Sequence, residues 1–148
     1  MSDPSKDVLR QAVEAFWETF PPFWQRVRAH IRQVAAERFE ISVEQFHILR
    51  HIRHGQGSVS ELAEAKNISR PAISQGVDVL VNKGFITRTT ETRDRRHVRL
   101  DLTPAGDAVL DVVFEDTHRW MMQTLAPLSE AELQILIRGM ESLRKINP

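Results

Sequence analysis

The chain has 148 residues, 41% of them apolar, with no cysteine and 20 basic against 20 acidic side chains, which suits one ordinary core in one domain and excludes a mainly disordered protein. Without cysteine there is no disulfide framework, no thiolate metal site and no thiol redox switch. The zero net charge hides a division: residues 1–65 carry 8 basic and 9 acidic side chains, 66–100 carry 8 and 3, and 101–148 carry 4 and 8, so a basic working surface belongs in the middle third.

Taken in chain order, Ser5–Phe39 places Val8, Leu9, Ala12, Val13, Phe16, Trp17, Phe20, Phe23, Trp24, Val27, Ile31, Val34 and Ala35 at spacings of three and four, which predicts an amphipathic helix. Pro21-Pro22 predicts a kink or break near Phe20, with Pro21 opening a second piece. Ser42 and Gln45 form a capping-box pattern for a helix over Val43–His54, ended by Gly55 and Gly57. Ser60 is expected to cap a short helix over Glu61–Lys66 that Asn67 closes, and Ser69 to cap another that ends at Lys83 and Gly84. Phe85–Thr90 and His97–Leu102, with the polar run Glu91–Arg96 between them, read as a β-hairpin with an arginine-bearing tip. Thr103-Pro104 opens a helix over Ala105–Leu125, and Ser129 with Glu132 opens a last one over Glu130–Ile146. Charged residues break every apolar cluster, so no transmembrane helix is expected. The polar start, Met1–Arg10, does not read as a signal peptide. The expected location is the cytoplasm.

This order predicts a mainly α single domain over 1–148: a winged helix-turn-helix with a small β-hairpin wing, flanked by terminal dimerisation helices. The DNA-binding lobe would span 42–103, and the dimerisation helices 1–40 and 104–148. In a helix-turn-helix the second helix places its N-terminal residues against base edges in the major groove. With Ile73, Val77, Leu80 and Val81 as its buried stripe, Arg70, Pro71, Ser74, Gln75 and Asp78 are left on the open side. Gln75 suits bidentate pairing with adenine, Ser74 a base or phosphate, and Arg70 a phosphate or guanine; the free N–H groups after Ser69 suit a phosphate. At the hairpin tip, Arg93, Arg95 and Arg96 have the charge for an adjacent minor groove, with Asp94 as wing support. The expected partner is a double-stranded DNA operator.

The runs Ser60–Glu64 (SELAE), Ile68–Lys83 (ISRPAISQGVDVLVNK), Gly84-Phe85-Ile86, Asp94-Arg95-Arg96 and Val98–Gly106 (VRLDLTPAG) resemble the multiple-antibiotic-resistance repressor (MarR) family of bacterial transcription regulators. The resemblance implies an obligate homodimer, joined through its terminal helices, that binds a pseudopalindromic operator and usually represses. It pairs Asp94 with Arg96 in the wing, puts Arg95 at the tip and matches Ser69–Gln75 to the N-terminal half of the recognition helix. Apart from the resemblance, the aromatics between Phe16 and Trp24 exceed what one thin scaffold needs, and a second chain would bury them.

His47, His51 and His54 fall on one side of their helix, away from Phe46, Ile48, Leu49 and Ile52. That stripe reads as a solvated or dimer-facing side. Two sharper readings compete with it. One is an effector pocket in which His47 and His51 join Phe20, Phe23 and Trp24 to hold a small aromatic or amphipathic molecule; the other is a metal-responsive site using His47, His51 and Glu44. His30, His97 and His118 read as structural or phosphate-facing, and the neighbours Glu115-Asp116 as a solvated helix face. No phosphate loop, nucleophile elbow or opposed carboxylate pair points to an enzyme, and no cofactor or resident metal is expected. A winged-helix module that binds proteins rather than DNA is the alternative class; it should lack strong salt dependence toward random duplex DNA.

Overall fold

The computed structural model describes residues 5–90 and 98–147, and its elements follow the capping signals closely. Helix α1 spans Lys6–Phe39, α2 Val43–Arg53, α3 Val59–Lys66 and α4 Arg70–Asn82; strands β1 (Ile86–Thr90) and β2 (Val98–Leu102) follow, then α5 (Pro104–Leu125) and α6 (Glu130–Arg144). Reciprocal capping boxes open α2 (Ser42 with Gln45) and α6 (Ser129 with Glu132), each satisfying backbone N–H groups that a helix start otherwise leaves bare. Asn67 turns the chain left-handed at φ 51° after α3, and Gly84 does so at φ 77° after α4. The strands pair antiparallel with Arg88 opposite Leu100.

Two expectations need correction. The first helix does not break at the prolines: α1 is one helix of 34 residues with Pro21 and Pro22 inside it. Proline's fixed φ is itself helical, and the acceptors it leaves unbonded belong to Trp17 and Glu18, both exposed, where water can serve them. Stacking also crosses the interruption, with ring centroids of Phe16 and Phe20 5.0 Å apart and those of Phe20 and Trp24 6.3 Å apart. The second correction concerns α3, which is capped by Ser58 and not Ser60. Ser58 and Glu61 close a reciprocal box, with bonds of 3.1 Å in both directions, and this three-residue spacing draws Val59 and Ser60 into the helix.

One core joins the elements. Phe46, Ile48, Leu49 and Ile52 of α2 meet Leu62 of α3, Ile73, Val77 and Leu80 of α4, Ile86 and Leu100 of the hairpin, and Val109, Leu110 and Val113 of α5. From α1 only Val34 and Ala35 enter that cluster. Helix α6 buries no residue at all. The hairpin is anchored where α5 begins: the N–H of Thr103 donates to the Phe85 carbonyl at 3.1 Å, and the Thr103 hydroxyl donates to the Gly84 carbonyl at 2.6 Å. At Gly106 a Cβ would overlap the Phe85 carbonyl oxygen. Backbone therefore occupies the space a side chain would need.

Gly106→Ala should push α5 off the hairpin and destabilise the fold by about 1–3 kcal/mol or more. A Cβ on Gly139, by contrast, meets nothing within 4 Å, so Gly139→Ala should stabilise by about 0.5–1 kcal/mol through helix propensity. Urea unfolding of the two variants beside wild type measures both, and opposite signs are expected.

Candidate nucleic-acid interface

Ser69 opens α4 with extended backbone, and its hydroxyl accepts from the Ala72 N–H at 3.4 Å. Pro71 occupies the first turn, where its missing N–H leaves no internal bond unmade. From this start Ile73, Val77 and Leu80 are buried and Val81 half-buried, while Ser69, Arg70, Pro71, Gln75 and Asp78 are exposed and Ser74 is half-buried. The structure thus brings the candidate readers on α4 to one solvent-facing surface. Gly76 keeps α4 close to α2, since a Cβ there would lie 2.7 Å from Cδ1 of Ile48. The wing candidates Arg93, Asp94, Arg95 and Arg96, along with His97, lie outside the described residues.

Sequence reasoning passed over Arg88. Its Nη2 donates to Oδ1 of Asp78 at 2.6 Å, tying β1 to the recognition helix. The signal was present in the strand's alternation, because Arg88 shares a hairpin face with Ile86 and Leu100. The reading of Asp116 as merely solvated also needs correction. Its side chain is 18% exposed and accepts from His30 Nε2 at 3.0 Å and Arg38 Nη2 at 2.8 Å. His30 stacks on Trp120 with centroids 5.0 Å apart, so this cluster fastens α1 to α5. A second fastening, from Arg53 Nη1 to Asp111 Oδ1 at 2.6 Å, ties α2 to α5.

The proposed effector residues separate into two places. Phe20, Phe23 and Trp24 line a cavity of 530 Å³ between α1, α5 and α6, together with Val27, Met121 and Leu136. His47 and His51 do not line it. Both are half-buried on α2, with Arg50 and Lys66 near each of them and Glu44 and Arg28 near His47. Burial, then the Lys66 and Arg50 charges, lowers the His47 pKa from 6.5 to about 4 against a smaller opposing effect of Glu44. Burial is also the main reason that His51 and Lys66 are lowered. Among the described residues no group of three or more His, Asp or Glu side chains converges as a metal site, and no helix is long and apolar enough to cross a membrane.

The sequence profile of the MarR family matches residues 41–98, the stretch from the start of α2 into β2. The uncharacterized HTH-type transcriptional regulator YpoP of Bacillus subtilis (strain 168) is 31% identical over 123 residues, which cover 82% of this chain and 86% of YpoP. The chain belongs to the MarR family. As a MarR-family protein it is a DNA-binding transcription regulator and not an enzyme. Its winged-helix fold is that of transcriptional regulator Tm0710 from Thermotoga maritima, with a TM-score of 0.78 at 22% identity over 90% of this chain and 94% of that one. It is likewise similar to a point mutant of S. aureus MepR bound to an oligodeoxyribonucleotide, with a TM-score of 0.69 at 20% identity over 90% and 98% of the two chains.

The lowered His47 pKa has a stability consequence. Between about 4 and 6.5 the unfolded imidazole is protonated while the folded one is not, so stability is full above 6.5 and falls as pH drops toward 4. The loss attributable to this half-buried ring should be on the order of 1–3 kcal/mol. Urea midpoints of wild type and His47→Gln at pH 7 and pH 4.5 check this; the variant should lose less stability over that interval.

Proposed function

We propose that this MarR-family regulator works in the cytoplasm as a homodimeric repressor on a pseudopalindromic duplex operator, released by a small aromatic or amphipathic effector. The observation that carries the reading is apolar surface left open on two terminal elements. Trp17 on α1 is 73% exposed, Ile135 on α6 68% and Ile146 just beyond it 79%; Val8, Leu9, Val13, Met140 and Leu143 add to the same open faces. A lone chain rarely leaves so many large apolar side chains open on its terminal helices. A two-fold copy covers it, and the same symmetry sets two recognition helices against major grooves about one turn apart, ~34–36 Å.

On each half-site Gln75 reads a base, Ser69, Arg70, Pro71 and Ser74 approach base edges and phosphates, and Arg93, Arg95 and Arg96 enter the neighbouring minor groove with Asp94 as their support. An effector acts by binding the released arrangement of the two lobes more tightly than the DNA-bound one. Phe20, Phe23 and Trp24 give it an apolar wall, and His47, whose pKa burial lowers, offers a second, separate place where a neutral imidazole can hydrogen-bond a ligand. The aromatic wall and the histidine pair belong to different places in the chain's fold, so they are separable by mutation.

Four outcomes test the reading. Deleting residues 130–148 should abolish the folded dimer, and a stable folded monomer in sedimentation and circular dichroism would overturn it. Selection from a random DNA pool should recover a palindrome. On that operator Gln75→Ala should cost on the order of 1–3 kcal/mol and relax preference at one position per half-site, whereas Arg95→Ala should weaken all sequences and lower the salt slope by about 1. Equal affinities for wild type and both variants contradict the assignment, and salt-insensitive behaviour toward random duplex favours a protein-binding module. With aromatic acids and phenols as probes, Trp24→Ala should blunt release from the operator. An unchanged response in both Trp24→Ala and His51→Ala places the pocket elsewhere.

A further inference from the structure

The corner between recognition helix and wing holds an ion pair to which the readings above give no task. Asp78 stands one turn past Ser74 and two past Arg70 on the open face of α4, and its Oδ1 accepts from Arg88 Nη2 at 2.6 Å. Both side chains reach solvent, at 58% and 38% exposure. A helix in a major groove and a wing in the adjacent minor groove straddle a single phosphate backbone, because that backbone is the wall between the two grooves. The corner that joins helix to wing therefore faces phosphates, given the placement under Proposed function.

An unpaired arginine at such a place adds affinity for every sequence through counterion release. A carboxylate already seated on its guanidinium competes with the phosphate for the same donors and cancels the charge that would draw it in. We propose that Asp78 holds Arg88 back from the DNA backbone and so limits how tightly the regulator grips duplex DNA irrespective of sequence. Discrimination then falls to base contacts such as that of Gln75, three residues earlier on the same helix. Asp78 acts through Arg88 and is a positioning residue; it reads no base.

The test is a coupling cycle on the full-length protein. Binding of random-sequence duplex is followed by fluorescence anisotropy between 50 and 200 mM salt for wild type, Asp78→Asn, Arg88→Gln and the double variant, with circular dichroism confirming the fold of each. Asp78→Asn should steepen the salt slope by about 1 for each protomer, which over that range amounts to roughly three- to fourfold more salt sensitivity per protomer. It should also tighten binding severalfold at the lowest salt. In the Arg88→Gln background the same substitution should do markedly less, because the guanidinium it would free is gone. Should Asp78→Asn fail to fold, Asp78→Ser is read in its place. An equal effect in both backgrounds means that only a negative charge was lost, and overturns the proposal, as does an unchanged slope. Wild-type protein that ignores duplex DNA overturns the placement on DNA and the proposal together, a result distinct from four binding proteins with equal slopes.

Discussion

The recognition helix, the wing and α5 are held in register by one backbone contact, the seating of Gly106 beneath the Phe85 carbonyl. The contact joins three parts at a point: the end of the recognition helix, the root of the wing and the first turn of α5. Thr103 reinforces it from both its N–H and its hydroxyl. Because the joint is made of backbone, it has little of the rotamer freedom through which a side-chain contact yields. The ion pairs of Arg53 with α5 and of Asp116 with α1 extend the same frame toward the terminal helices.

The distribution of apolar surface follows from that frame. The core fills the angle between α2, α4, the hairpin and the first half of α5, and stops near Val113. Beyond it α1 and α5 continue as long helices whose apolar sides face one another and α6 across the aromatic cavity. Apart from Leu133 and Leu136, which are half-buried, the large apolar residues of helix α6 stay exposed within the chain. Burial stabilises at roughly 25 cal/mol per Å², so open apolar faces of this length favour association, in keeping with the dimer proposed above.

Electrostatics divides the molecule in the same way. The middle third holds the excess of basic residues, yet two of its described arginines are already matched, Arg88 by Asp78 and Arg99 by Asp101. Charge counted along the chain thus overstates the charge offered to a ligand. The histidines show a parallel effect: residues that at the level of sequence suggest a switch near neutral pH include one, His47, that burial and neighbouring cations hold neutral down to about pH 4.

The sequence by itself determined the element order, most helix starts and the face that α4 turns to solvent, because these depend on interactions within a few residues: a serine hydroxyl on an N–H two or three positions on, an asparagine that accepts a left-handed turn, apolar side chains at helical period. It also carried the family resemblance. Local rules misplaced the cap of α3, where two serines competed and the partner Glu61 decided, and the effect of Pro21-Pro22, where stacking and solvated carbonyls outweighed a propensity. Only the tertiary structure decided that Asp78 meets Arg88, that Asp116 is clasped by α1, and that His47 lies apart from Trp24. Each is a relation between residues distant in sequence or on different elements, fixed by how helices and hairpin cross, and periodicity along one helix holds no record of what faces it.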